Sequence, residues 1–117
     1  MPVNLPGPFN LSKAMKNLQK FQEDLEKLQQ ELAERTVEAT AGGGVVAAVA
    51  DGSGRLRSVR IDPAAADPSD LEMLQDMVVA AVNEALRLSR EMVEKEMARL
   101  YSELGLPGLP GMQLPGV

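Results

Sequence analysis

Between Thr36 and Asp62 the hydrophobic pattern of this chain shifts from a seven-residue repeat to an alternation of two, and two glycine clusters punctuate the stretch. No other feature constrains the fold as tightly, because side chains return to one face every two residues in a strand but every three or four in a helix. Val37, Ala39 and Ala41 alternate with polar residues, Val45 to Ala50 is a short apolar run, and Val59 and Ile61 precede Pro63. Gly42-Gly43-Gly44 and Asp51-Gly52-Ser53-Gly54 supply positive φ where hairpins need it, so three antiparallel strands are predicted. Leu56 is out of phase with Val59 and Ile61, which predicts either a bulge near Arg57-Ser58 or a Leu56 on the opposite face. Pro63 cannot donate to a ladder and closes the third strand.

Helices flank this sheet. Asn10 is the expected N-cap of the first, in which Leu11, Leu18, Leu25 and Leu32 recur every seven residues with Ala14, Phe21 and Leu28 between them, a coiled-coil-like stripe. A helix of about 25 residues is about 37 Å long, more than a domain this small can cover, so part of it is expected to meet another chain. Ser69-Asp70-Leu71-Glu72 has the form of a capping box for the second helix, whose stripe runs through Leu71, Leu74, Val78, Ala81, Ala85, Leu88 and Met92. Beyond Met92 the stripe rotates to Val93, Met97, Leu100 and Leu104, as if those turns face a different neighbour. The result is an α+β chain of order α-β-β-β-α. Pro and Gly divide it into a leader over residues 1–9, one domain over residues 10–104 and a tail over residues 105–117, with Gly105 stopping the helix.

Composition removes several classes of function. With no Cys and no His, disulfides, thiol nucleophiles, imidazole bases and the zinc and haem sites built on them are excluded. No stretch approaches the roughly 20 apolar residues that span a bilayer, and no signal-like run opens the chain, so a cytoplasmic protein without membrane contact is expected. The glycine clusters are not phosphate cradles, since neither joins a strand to a helix with Lys-Ser or Lys-Thr behind it. Asp62, Asp67 and Asp70 are the strongest catalytic suspicion, but a strand terminus and helix N-terminal charges explain them. Asn83 reads as a polar flank of the helix stripe. No nucleophile–base pair is found, and neither a catalytic site, a metal nor a cofactor is expected.

Seventeen acidic against twelve basic residues give a net charge of −5, which argues against nucleic acid until the distribution is read. Residues 1 to 22 hold Lys13, Lys16 and Lys20 and no acid, and residues 55 to 60 hold Arg55, Arg57 and Arg60 without one. At 100° per residue, Lys13, Lys16, Lys20 and Lys27 fall within about 60° on the first helix, opposite much of the leucine stripe. Arg87 and Arg90 lie among Glu84, Glu91 and Glu94 and are ambiguous. Few aromatics disfavour single-strand stacking, and the absence of a helix-turn-helix or zinc-finger signature leaves phosphate contact with double-stranded DNA.

The order helix, three strands, helix, with Gly52-Ser53-Gly54, Val59-Arg60-Ile61-Asp62-Pro63 and Asp70, Glu72, Leu74, Asp76, Met77, Val78, Ala80, Ala81 and Asn83 in one spaced pattern, resembles the YbaB/EbfC family of nucleoid-associated DNA-binding proteins. The resemblance implies a tweezer-like homodimer of bacterial, cytoplasmic and nucleoid location that grasps double-stranded DNA between paired helices. Lys13, Lys16, Lys20, Arg55 and Arg57 are the residues expected to meet phosphates. Leu18, Phe21, Leu25, Leu28, Ala81 and Ala85 are expected at the dimer contact. The competing expectation is an acidic protein-interaction module that binds a recombination or replication partner, partly through the Leu-Pro-Gly tail.

Overall fold

A computed structural model of the chain describes residues 10–103. The leader, the helix stop at Gly105 and the Leu-Pro-Gly tail lie outside the described residues. Helix α1 (Leu11–Glu34) is followed by strands β1 (Thr36–Ala41), β2 (Val46–Asp51) and β3 (Leu56–Ile61) and helix α2 (Leu71–Glu103), an α+β chain in the order that the change of period predicts. Asn10 caps α1 from an extended backbone, its side-chain oxygen accepting from the Lys13 N–H at 3.2 Å.

The strands form one antiparallel sheet in the order β1-β2-β3. Opposite β2, Ile61 pairs with Val46, Val59 with Ala48, Ser58 with Val49 and Leu56 with Ala50, which leaves Arg57 as the extra residue. Of the two alternatives for Leu56, the bulge is the one realised, and it returns Leu56 to the face that carries Val59 and Ile61. Helix α2 covers that face over β1 and β2. Ala81 and Ala85 meet Ala39, Val46, Ala48 and Ala50 there, and such small side chains let a helix lie close to a sheet. Helix α2 touches β3 only at its margin, and the apolar row Leu56, Val59 and Ile61 stays 37% to 42% exposed.

The start of α2 differs from the expected capping box. Asp70, not Ser69, is the cap, its carboxylate accepting from the Met73 N–H at 3.0 Å. Ser69 is committed one step earlier: both its backbone N–H, at 2.9 Å, and its hydroxyl donate to Asp67. The glycines divide their work differently as well. Gly54 has φ +83 and Gly42 φ +65, whereas Gly52 is outside the positive-φ set and is needed for closeness, since a Cβ there would collide with the Leu32 carbonyl.

Past Met92, α2 leaves the sheet and packs on α1, which accounts for the rotated stripe. Phe21 and Tyr101 place their ring centroids 5.6 Å apart, Arg35 reaches Glu96 at 3.5 Å, and Leu32 and Leu100 are buried. Ascending numbers on α1 meet descending numbers on α2, so the helices are antiparallel. The principal extents are 75 × 26 × 19 Å and the radius of gyration is 21.3 Å, against about 13 Å for a compact chain of 100 residues. Helices projecting from a small sheet, rather than a sphere, produce that shape.

Candidate nucleic-acid interface

The N-terminal half of α1 runs past the last described turn of α2 and forms an arm. It exists as a helix because Asn10 starts it and its residues from Leu11 to Gln22 include neither Gly nor Pro. Lys13, Lys16 and Lys20 are exposed along it, and Lys27 continues their side of the helix toward the body. Among the described residues these four lysines take part in no ion pair. On the other side of the arm Leu11, Met15 and Leu18 are 57% to 63% exposed.

The remaining cations are differently placed. Arg55 sits in the β2–β3 turn with an exposed side chain that also lacks an ion-pair partner among the described residues. That turn lies against the last turn of α1, where the Gly52 N–H donates to the Leu32 carbonyl at 2.9 Å. Lys20 and Leu32 are twelve residues apart, about 18 Å along the axis, so Arg55 belongs to the far end of the same helix rather than to the lysine cluster. Arg57 is held: its Nε donates to Asp51 at 2.6 Å and its Nη2 to the Ala33 carbonyl at 2.9 Å. Arg60 lies 3.9 Å from Glu38.

Of the residues expected at a dimer contact, Ala81 and Ala85 are fully covered inside this chain's own core. Phe21 is partly covered by Tyr101, and Leu25 and Leu28 are half-buried, while Leu18 stands open to solvent. The carboxylates once suspected of catalysis are occupied by backbone and hydroxyl donors: Asp62 accepts from the Ala64 N–H at 3.0 Å, Asp67 from Ser69, and Asp70 from Met73. Hydrogen bonds from Ser69 hold the Asp67 carboxyl below its usual range.

Asp51 is the residue whose importance sequence reasoning missed. Its carboxylate accepts from the Ser53 N–H at 2.8 Å, the Ser53 hydroxyl, the Arg55 N–H at 3.2 Å and Arg57, and the Ser53 hydroxyl and Arg57 hold it well below the usual carboxylate range. The signal for it was an Asp two residues before a Ser, the same Asx-turn spacing that Asp67 and Ser69 show.

The model of the YbaB/EbfC DNA-binding family matches residues 7–104. The chain is 56% identical over 99 residues to a nucleoid-associated protein of Moorella thermoacetica, covering 85% of this chain and 95% of that protein. It is also 56% identical over 100 residues to a nucleoid-associated protein of Halalkalibacterium halodurans, covering 86% and 97% respectively. The crystal structure of an uncharacterized protein from Helicobacter pylori matches with a TM-score of 0.67 over 80% of this chain and 99% of that one; at 19% identity, this is a likeness of fold.

Proposed function

The chain belongs to the YbaB/EbfC DNA-binding family, and from that membership we propose that it binds double-stranded DNA as a homodimer, holding phosphates with the lysines of α1. The family is a DNA-binding family, not an enzyme family. The observation that carries the reading is the state of Lys13, Lys16 and Lys20: exposed, without an ion pair among the described residues, and on a helical arm without an acid. A cation already paired with a carboxylate gains little from a phosphate, whereas an unpaired one displaces condensed counterions and gains their entropy. Arg55, exposed beside the far end of α1, is a separate candidate contact. Because these contacts are to phosphates, the protein organises DNA and modulates its expression in the nucleoid without reading a long site. The names of its relatives support that location.

The second copy has a natural seat on β3. Leu56, Val59 and Ile61 continue the face that α2 buries over β2, and they are partly exposed where α2 covers β3 only at its margin. An element of the same kind would complete that core, and a second copy brings an α2 whose Leu71, Met73 and Val79 are themselves exposed. Fluorescence anisotropy with labelled duplex DNA across a salt series, with solution mass measured in parallel, tests the reading. Three lysines from each of two chains predict a dimer mass and a log–log salt slope of roughly −5. A folded protein of dimer mass that ignores duplex DNA at low salt overturns it.

A further inference from the structure

Asp51 ends β2 with its side chain only 2% exposed, and four donors converge on its carboxylate. One of them, the Arg57 guanidinium, goes on to the Ala33 carbonyl in the last turn of α1. Beside it the Gly52 N–H donates to the carbonyls of Leu32, at 2.9 Å, and Arg35, at 3.1 Å. From the other side the Ser89 hydroxyl of α2 donates to the Asp51 carbonyl. Sheet, α1 and α2 are therefore tied together at one residue. The ties on α1 fall on C-terminal carbonyls that a helix cannot satisfy internally, and the guanidinium there also meets the negative end of the helix dipole.

The position of that knot gives it leverage. Lys16 lies seventeen residues from Ala33, about 25 Å along the helix axis, so a 10° change of direction at the junction moves the lysine by about 4 Å. We propose that Asp51 and Arg57 are positioning residues for DNA binding, acting through the junction they form between β2, the β3 bulge and the C-terminus of α1, and that Arg57 is not itself a phosphate contact. The inference rests on the reading that the lysines of α1 hold DNA. It also explains why the bulge occurs at Arg57: the extra residue leaves the ladder and carries its side chain toward α1.

Charge alone and positioning predict opposite signs. Asp51→Asn removes a negative charge, so a purely electrostatic account expects tighter DNA binding, whereas the junction expects weaker binding. Arg57→Lys keeps the charge but loses the planar fork that spans Asp51 and Ala33. The test compares these two variants with the unaltered dimer by duplex anisotropy over a salt series, alongside hydrogen exchange of the free proteins and circular dichroism to check folding. The expected result is about tenfold weaker binding for both, the scale of one lost charge-assisted hydrogen bond, with an unchanged salt slope. Faster amide exchange in the last turns of α1 accompanies it in the absence of DNA. Undiminished binding by Arg57→Lys, tighter binding by Asp51→Asn, or a salt slope reduced by about 0.9 per chain in the charge-removing variant Arg57→Gln overturns the proposal. Should the unaltered protein bind no duplex, the proposed function fails, while the exchange of α1 still reports on the junction.

Discussion

The two long helices carry their positive charge in opposite ways. On α2, Arg87 lies between Glu84, at 2.6 Å, and Glu91, at 2.9 Å; Lys95 meets Glu91 at 3.1 Å, and Arg99 pairs with Glu96. On α1, Lys13, Lys16, Lys20 and Lys27 have no such partner among the described residues. Both helices contain lysine or arginine beside glutamate in the sequence, and the net charge of −5 averages over both. Spacing explains part of the difference. Glutamates three residues before and four after Arg87 stand on its own side of the helix, whereas Lys13 and Lys16 have no acid within four residues. Lys20 and Lys27 do have acids at that spacing, Glu23 and Asp24 for Lys20 and Glu23 and Glu31 for Lys27, and their side chains stay apart from them. An acidic protein can thus keep a cationic surface for phosphates when its carboxylates are spent on arginines elsewhere.

The largest effect should follow from breaking this contrast on α1. Replacing the three lysines of the arm, as Lys13→Glu, Lys16→Glu and Lys20→Glu together, is expected to weaken duplex binding by more than about 100-fold at moderate salt. The melting temperature should hardly move, because these side chains support no contact of the fold. Anisotropy and thermal unfolding on the same sample separate the two outcomes. Binding that survives the triple replacement would place the DNA on another surface.

How much of this was legible in the sequence varies with the range of the interaction that decides it. The element order, Asn10 as cap and the rotated stripe of α2 were readable, since local periodicity and capping chemistry fix them. The lysine arm was readable as a cluster. The absence of acids from residues 1–22 was readable too; that no carboxylate of another element pairs with these lysines was not, because that depends on rotamers and on which helix faces which. Ala81 and Ala85 were expected at the dimer contact because small side chains suit close packing, and the placement of α2 over β2 puts them in the chain's own core instead. Arg57 shows the limit most clearly. As a basic residue in an acid-free stretch it resembled Arg55, but a one-residue bulge turns it to Asp51 and α1 while Arg55 remains in solvent. A register shift is a property of two strands together, and the sequence of one strand left it open.

Acid sharpens the comparison between the junction and the arm. The Asp51 carboxyl is held well below its usual value of 3.8, chiefly by the Ser53 hydroxyl and then by Arg57. Since the native state holds this proton less tightly than the unfolded chain, the stability contributed by Asp51 is complete above about pH 3.8 and declines as the pH falls below it. Unfolding by urea, followed at a series of acid pH values, should show a decline that is shallower in Asp51→Asn than in the unaltered protein. The triple replacement on the arm should leave the Asp51 contribution in place. An identical decline in Asp51→Asn would mean that the carboxylate contributes nothing that the unfolded state lacks.

The smallest effect is expected on α2, and its smallness is the point. Ion pairing with Glu84 first, and then with Glu91, raises the Arg87 pKa; Arg87 in turn lowers the Glu84 carboxyl, while Lys95 first and then Arg87 lower that of Glu91. These shifts record strong local pairing, yet all three side chains are substantially exposed, so water and salt screen most of what the pairs add to stability. Arg87→Gln should therefore leave the melting temperature nearly unchanged. It should also leave the slope of DNA affinity against salt unchanged, because a guanidinium already shared between two carboxylates displaces no counterion from the duplex. Each arm lysine replaced by Gln should instead reduce that slope by about 0.9 per chain. Equal slopes for Arg87→Gln and Lys16→Gln would show that pairing in the free protein does not decide which cations meet phosphate, and the contrast between the two helices would lose its functional meaning.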